Sequence, residues 1–213
     1  YVCLDVGNPF FTDVSRGIDE VARAHGMVVF LCNTDQDEAR EARFLDQLLE
    51  QRVKGVCITP VDGVSDRFRQ LPQRGVPLVL VDRTPQGEGS DWCSVGVDDL
   101  LGGELAATHL LDLGHERIAY AGGPAFIPQV ADRLSGAQRA LVAAGAPLDH
   151  LLYLETDANT VAEGRRAGAR LLGVPKRRRP TAIICANDPS HWGCSSRRPS
   201  ADSRCPAIWR SSV

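Results

Sequence analysis

At 213 residues the chain is long enough for one large domain or two small lobes, and 43% hydrophobic residues can fill a core. A formal net charge of −3 gives no general reason to bind nucleic acid. No apolar run approaches the roughly 18 residues of a membrane span, and no basic start with an apolar run behind it marks a secretory signal. These features lead us to expect a cytoplasmic protein with no membrane partner. Tyr1 already lies inside an apolar run, so the chain reads as cut at its N-terminus.

In chain order, short apolar runs predict strands at residues 2–6, 28–32, 53–58, 77–81, 93–97, 118–121, 151–154 and 182–185. Amphipathic stretches predict helices at 13–24, 38–51, 100–113, 130–144 and 161–172. Within 38–51, for example, Ala42, Leu45, Leu48 and Leu49 share one helical face. Strands separated by helices of this length imply βαβ units in a parallel, doubly wound α/β sheet. In such a sheet the loops after strand C-terminal ends are where ligands sit.

The stretch from Ser94 carries the most information. It reads SVGVDDLLGGELAATHLLDLGHERIAYAGGPAFIPQVADRLSG: strand, helix, strand, a glycine loop, and a helix that carries Arg133. Together with LDVGNPFFTDVSRGIDEVARAHG near the start and IICAND ending at Asp188, it resembles the ligand-binding domain of LacI-type bacterial transcription regulators. The resemblance covers nearly nine tenths of the chain.

That resemblance implies a periplasmic-binding-protein-like fold. It consists of two doubly wound parallel-sheet lobes with a ligand cleft between them. By resemblance, residues 1–114 form the N-terminal lobe and 115–188 an incomplete C-terminal lobe. A small-molecule effector, sugar or nucleobase-like, would bind in the cleft. Operator DNA would be a partner only through a helix-turn-helix domain absent from this chain, and the full-length protein would be a homodimer. No cofactor and no enzymatic activity are expected. The alternative is a sugar-binding protein that serves a membrane transporter and shares the fold.

The candidate ligand residues follow from the motifs. Arg133 sits on the first turn of its helix, where the family places a cleft residue; its planar guanidinium suits paired hydroxyls or a carboxylate. Asp188 closes the strand at 182–185, as a ligand acceptor or as a helix N-cap. Asn187 beside it reads as structural. Asp82 ends the strand at 77–81; it either lines the cleft or caps a turn. Phe10 and Phe11 follow the first strand, to stack on a ring or to staple the next helix, with Phe11 the preferred contact. Asn8 and Asp13 are donors, acceptors or caps at the same place.

Other features read as structural. Asp98 and Asp99, if on an extended chain, point to opposite faces and do not form a paired acid and base. The basic run at 176–179 reads as a solvated loop and His115 as a turn residue. The seven cysteines lack C-x-x-C spacing and read as small apolar residues in a reducing compartment. No metal site, Walker loop or Ser-His-Asp order is visible.

After Asp188 the character changes. PSHWGCSSRRPSADSRCPAIWRSSV has no apolar period and holds two of the three tryptophans. Slid by one base under GC-rich codons, residues 205–213 read Val-Pro-Gly-Asp-Leu-Ala-Ile-Val-Gly, and residues 190–196 read Val-Ala-Leu-Gly-Val-Leu-Gln. The chain has 22 arginines against two lysines, which fits such codons. We therefore expect residues 189–213 to be an aberrant or disordered tail from a shifted frame. The C-terminal part of the fold would then be missing.

Overall fold

In a computed structural model of the chain, residues 1–63, 66–83 and 92–195 are described, together with the backbone of 207–210. Two compact units result, Tyr1–Gly96 and Val97–Val213.

The first unit alternates β1 (Val2–Cys3), α1 (Pro9–Ala24), β2 (Cys32–Asn33), α2 (Glu38–Glu50), β3 (Val56–Ile58), α3 (Asp66–Gln73), β4 (Leu78–Val81) and β5 (Cys93–Val95). Its five strands are all parallel, in the order β2-β1-β3-β4-β5. Strand order reverses between β1 and β3, which makes that gap the topological switch point. Side chains alternate across the sheet. Val2, Ile58 and Leu80 join Leu45 of α2 and Phe68 and Leu71 of α3 on one face. Tyr1, Cys3 and Val81 join Phe11, Val14 and Ile18 of α1 on the other. Each fully buried Leu, Ile or Phe contributes about 1.5–3 kcal/mol.

The second unit runs α4 (Asp99–Asp112), β6 (Ile118–Gly122), α5 (Pro128–Ala143), β7 (Leu151–Glu155), α6 (Val161–Gly173), β8 (Ala182–Cys185), α7 (Asp188–Ser195) and β9 (Ala207–Arg210). Its parallel sheet has the order β7-β6-β8-β9, with the switch point between β6 and β8. Here the period of two is complete. Ile118, Tyr120, Ala182 and Ile184 face α4 and α5, while Ala119, Ala121, Ile183 and Cys185 face α6 and α7.

Three expectations change. The division falls at Gly96/Val97, not after residue 114. The reason is packing: α4 buries Ala106, Ala107 and Leu110 in the same core as Ile118 and Tyr120. The apolar run at 28–32 is mostly not strand; only Cys32–Asn33 pair with β1, and Val28 and Phe30 stand exposed. Regular structure also continues past Asp188. Helix α7 reaches Ser195 and buries Ser190, Gly193 and Cys194, while the rest of the expected tail, apart from the backbone of β9, lies outside the described residues. Its partner is α6: a Cβ on Gly193 would lie 2.1 Å from the Val161 carbonyl oxygen, and one on Gly164 2.1 Å from that of Ser190.

Candidate functional site

Each unit carries its candidate residues at the C-terminal edge of its own sheet. In the first unit the chain leaves β1, turns, and enters α1 with Asn8 as N-cap. The Asn8 side chain accepts a hydrogen bond from the Phe10 amide at 3.1 Å. The helical period then separates the two phenylalanines. Phe11 turns inward with Val14 and Ile18 and is buried, whereas Phe10 is 39% exposed. Their rings meet edge to face at 5.1 Å. Phe11 thus packs in the core of the first unit, and Phe10 keeps the more accessible ring. Asp13 lies on the solvent side, paired with Arg16 at 3.0 Å.

Asp82 follows β4 with φ of 56°, a left-handed backbone rare for residues other than glycine and tolerated best by Asn and Asp. Its amide donates to the Val95 carbonyl at 2.8 Å. Arg83 reaches from the same turn to the Pro60 carbonyl at 3.5 Å, joining the loops after β3 and β4. The loop after β3 is held from below as well. Glu41 of α2 is buried and accepts from the Val61 amide at 2.8 Å. Burial pushes its carboxyl above the usual range, against the pull of that hydrogen bond. Tyr1 shares a hydrogen bond with Thr59 at 3.2 Å, and burial pushes its phenol up to about 12.

In the second unit the candidates Arg133 and Asp188 lie on α5 and at the start of α7, the helices that follow the switch-point strands β6 and β8. Arg133, one turn into α5, donates from Nε to Asp99 Oδ1 at 2.7 Å. It also donates from Nη1 to the carbonyl of Ala186, the residue after β8. The guanidinium is therefore fixed between α4, α5 and the end of β8, two residues from Asp188. Both ion-pair partners are mostly shielded, with side chains 18% and 10% exposed. Burial raises the Asp99 carboxyl, and the Arg133 charge and hydrogen bond pull it back down.

The N-cap alternative for Asp188 is corrected. Asn187 performs that task, accepting from the Ser190 amide at 2.9 Å, and its own amide group donates to the Asn159 carbonyl at 3.0 Å. Asp188 is half-buried in the first turn of α7. It makes no side-chain hydrogen bond among the described residues. The glycine loop after β6 is tied to the same network. Asn159 Oδ1 accepts from the Gly123 amide at 2.7 Å, and the Tyr153 hydroxyl donates to the Gly123 carbonyl at 2.8 Å. Tyr120 donates to the Val130 carbonyl at 3.1 Å beneath α5.

Asp98 caps α4 through the Leu101 amide at 2.9 Å while Asp99 turns to Arg133. The two carboxylates do not converge, although a helix start, not an extended chain, separates them. Sequence reasoning missed the partnership of Asp99 and the loop supports Tyr153 and Asn159. Only the Thr160-x-x-Glu163 spacing marks order beside Asn159: Thr160 caps α6, accepting from the Glu163 amide at 3.3 Å, while the Glu163 carboxylate pairs with Arg166.

Comparison with known proteins agrees with this architecture. Residues 2–196 match the family described as periplasmic binding proteins and sugar binding domain of LacI family. The HTH-type transcriptional repressor PurR of Aliivibrio fischeri is 31% identical over 183 residues, which is 85% of this chain and 53% of that repressor. The ribose operon repressor of Escherichia coli K12 is 34% identical over 183 residues, 85% of this chain and 54% of its own length. The chain thus spans about half the length of these curated relatives. Among solved structures, a LacI family transcriptional regulator from Enterococcus faecium with bound ribose superposes with a TM-score of 0.78 at 31% identity. That match covers 92% of this chain and 69% of the other.

Proposed function

Because the chain belongs to the family of periplasmic binding proteins and LacI-type sugar-binding domains, we propose that it is the effector-sensing part of a LacI-type DNA-binding transcription regulator. Its ligand is a small polar molecule of the sugar class. The observation that carries this reading is the anchoring of Arg133 on the Ala186 carbonyl. It holds a cationic fork beside the end of β8, two residues before Asp188, and the switch point between β6 and β8 is the kind of edge where open α/β sheets take ligands. A guanidinium and a carboxylate together satisfy the donors and acceptors of vicinal hydroxyls. In the first unit Asn8, Phe10 and Asp82 play the corresponding part, with Phe11 buttressing the Phe10 ring. The ribose named for the Enterococcus relative supports a pentose as the first ligand to try.

In this reading the sensed ligand changes operator affinity only by its difference in affinity for two states of the regulator. DNA contact belongs to a helix-turn-helix segment outside this stretch, and the working protein is a cytoplasmic homodimer. The edge beside β2 supports pairing of two copies, since Val28 and Phe30 are 79% and 65% exposed there. No helix among the described residues is long and apolar enough to cross a membrane.

The test is calorimetric titration of the chain with D-ribose, followed by gel-shift of the natural full-length protein on its own promoter with and without that sugar. Ribose binding with a ligand-dependent shift supports the reading. Ribose binding without any DNA affinity in the full-length protein replaces it with a sugar-carrier function.

A further inference from the structure

Arg133 carries five N–H donors in a planar fork. The protein engages two of its three nitrogens: Nε with Asp99 and Nη1 with the Ala186 carbonyl. Nη2 makes no hydrogen bond among the described residues. Asp99 is 10% exposed, and a buried carboxylate without a partner is costly, so the aspartate has a strong reason to keep the guanidinium in place. An arginine free to rotate would lose rotamer entropy on binding a ligand; one already pinned at Nε and Nη1 has lost it beforehand.

We infer that Asp99 is a positioning residue for ligand recognition: its ion pair fixes the Arg133 guanidinium so that Nη2 is presented in one orientation at the loops after β6 and β8. This rests on the ligand role proposed for Arg133. Asp99 touches the ligand only through Arg133, which separates its role from that of Asp188. The charges that act on Asp99 come from Arg133 and Asp132 on α5 and from Asp98 beside it, and the buried phenol of Tyr120 on β6 feels Asp99 in turn. Protonation of Asp99 would remove its charge and weaken its hold on Nε, leaving only a neutral oxygen acceptor, so ligand affinity should fall as pH drops through the Asp99 titration.

The experiment has two arms on the full chain. In the first, side-chain Nε–H signals are recorded by NMR, with Arg133 assigned by its disappearance in Arg133→Lys. The native signal should exchange slowly with water. Asp99→Ala should speed exchange at least about tenfold, and Asp99→Asn, which keeps an oxygen acceptor, should restore part of the protection. In the second, D-ribose affinity is measured between acid and neutral pH. Asp99→Asn should weaken binding roughly tenfold at neutral pH and flatten the pH profile, as loss of a charged hydrogen bond does. Unchanged Nε–H protection in Asp99→Ala, or ribose affinity and pH profile unaltered in Asp99→Asn, would overturn the inference. A native chain that binds no ribose defeats the sugar reading instead, while the first arm still decides whether Asp99 fixes the guanidinium. Should Asp99→Ala fail to fold, the isosteric Asp99→Asn decides both arms.

Discussion

Gly103 of α4 lies against the backbone of Arg133: a Cβ at Gly103 would sit 1.9 Å from the Arg133 carbonyl oxygen. The contact is reciprocal, since a Cβ at Gly136 would sit 1.9 Å from the Leu100 carbonyl oxygen. This close crossing is what brings Asp99 within reach of Arg133. Gly102, its neighbour in sequence, has nothing within 4 Å of its would-be Cβ.

The two adjacent glycines should therefore respond oppositely to alanine. Gly103→Ala must push two backbones apart and should cost about 3 kcal/mol or more. Gly102→Ala should stabilise by about 0.5–1 kcal/mol through helix propensity. Thermal unfolding of both variants checks this; similar melting temperatures would mean the helices do not cross as described.

Helix α7 should matter to stability. Ending the chain after Asp188 removes the buried Ser190, Gly193 and Cys194 and should cost on the order of 3 kcal/mol. Ser190→Ala should behave differently. The Ser190 hydroxyl is buried and has no hydrogen-bond partner among the described residues, so its removal should be neutral or stabilise by up to about 1 kcal/mol. Equal stability of the native and shortened chains in denaturant would show that α7 does not pack on α6.

Glu41 predicts a pH effect. Burial raises its carboxyl pKa in the folded chain above the unfolded value, so the folded state holds the proton more tightly. Its contribution is most favourable below the ordinary glutamate value, about 4.3, and is lost as pH rises toward the raised folded value. Glu41→Gln keeps an acceptor for the Val61 amide and removes the titration. The variant should gain relative to the native chain across that window and be at least as stable at neutral pH. Denaturant titrations at several pH values check this; a variant less stable at neutral pH with an unchanged slope would contradict it.

Much of the fold is legible in the sequence because short continuous apolar runs, as strands of a parallel sheet covered on both faces require, alternate with helical faces of period 3.6. The exceptions have local causes. Helix α3 is short and contains Pro72, so Asp66–Gln73 carries little periodic signal. The run at 28–32 is apolar enough for a strand yet lies largely outside the sheet. Phe11 was separable from Phe10 in principle, since Phe11, Val14 and Ile18 are spaced by three and four. The segment DPSHWGCS conceals α7 because its packing depends on Gly193 meeting Gly164, a contact between helices with no local signature. The candidate site can be named from motifs around Arg133 and Asp188, but its geometry cannot. Asp99 and Arg133 are 34 residues apart, and no local pattern links them.

The most direct test of the central claim is the ligand-induced change in melting temperature of the chain, read across free sugars, sugar phosphates and purine bases, beside Arg133→Ala. Removing this guanidinium should weaken binding by about 2–4 kcal/mol, as loss of a buried charged hydrogen-bond partner does. At least one compound, D-ribose first, should raise the melting temperature of the native chain and leave that of Arg133→Ala unmoved. No shift with any compound, or the same shift in both proteins, would contradict an effector site built on Arg133.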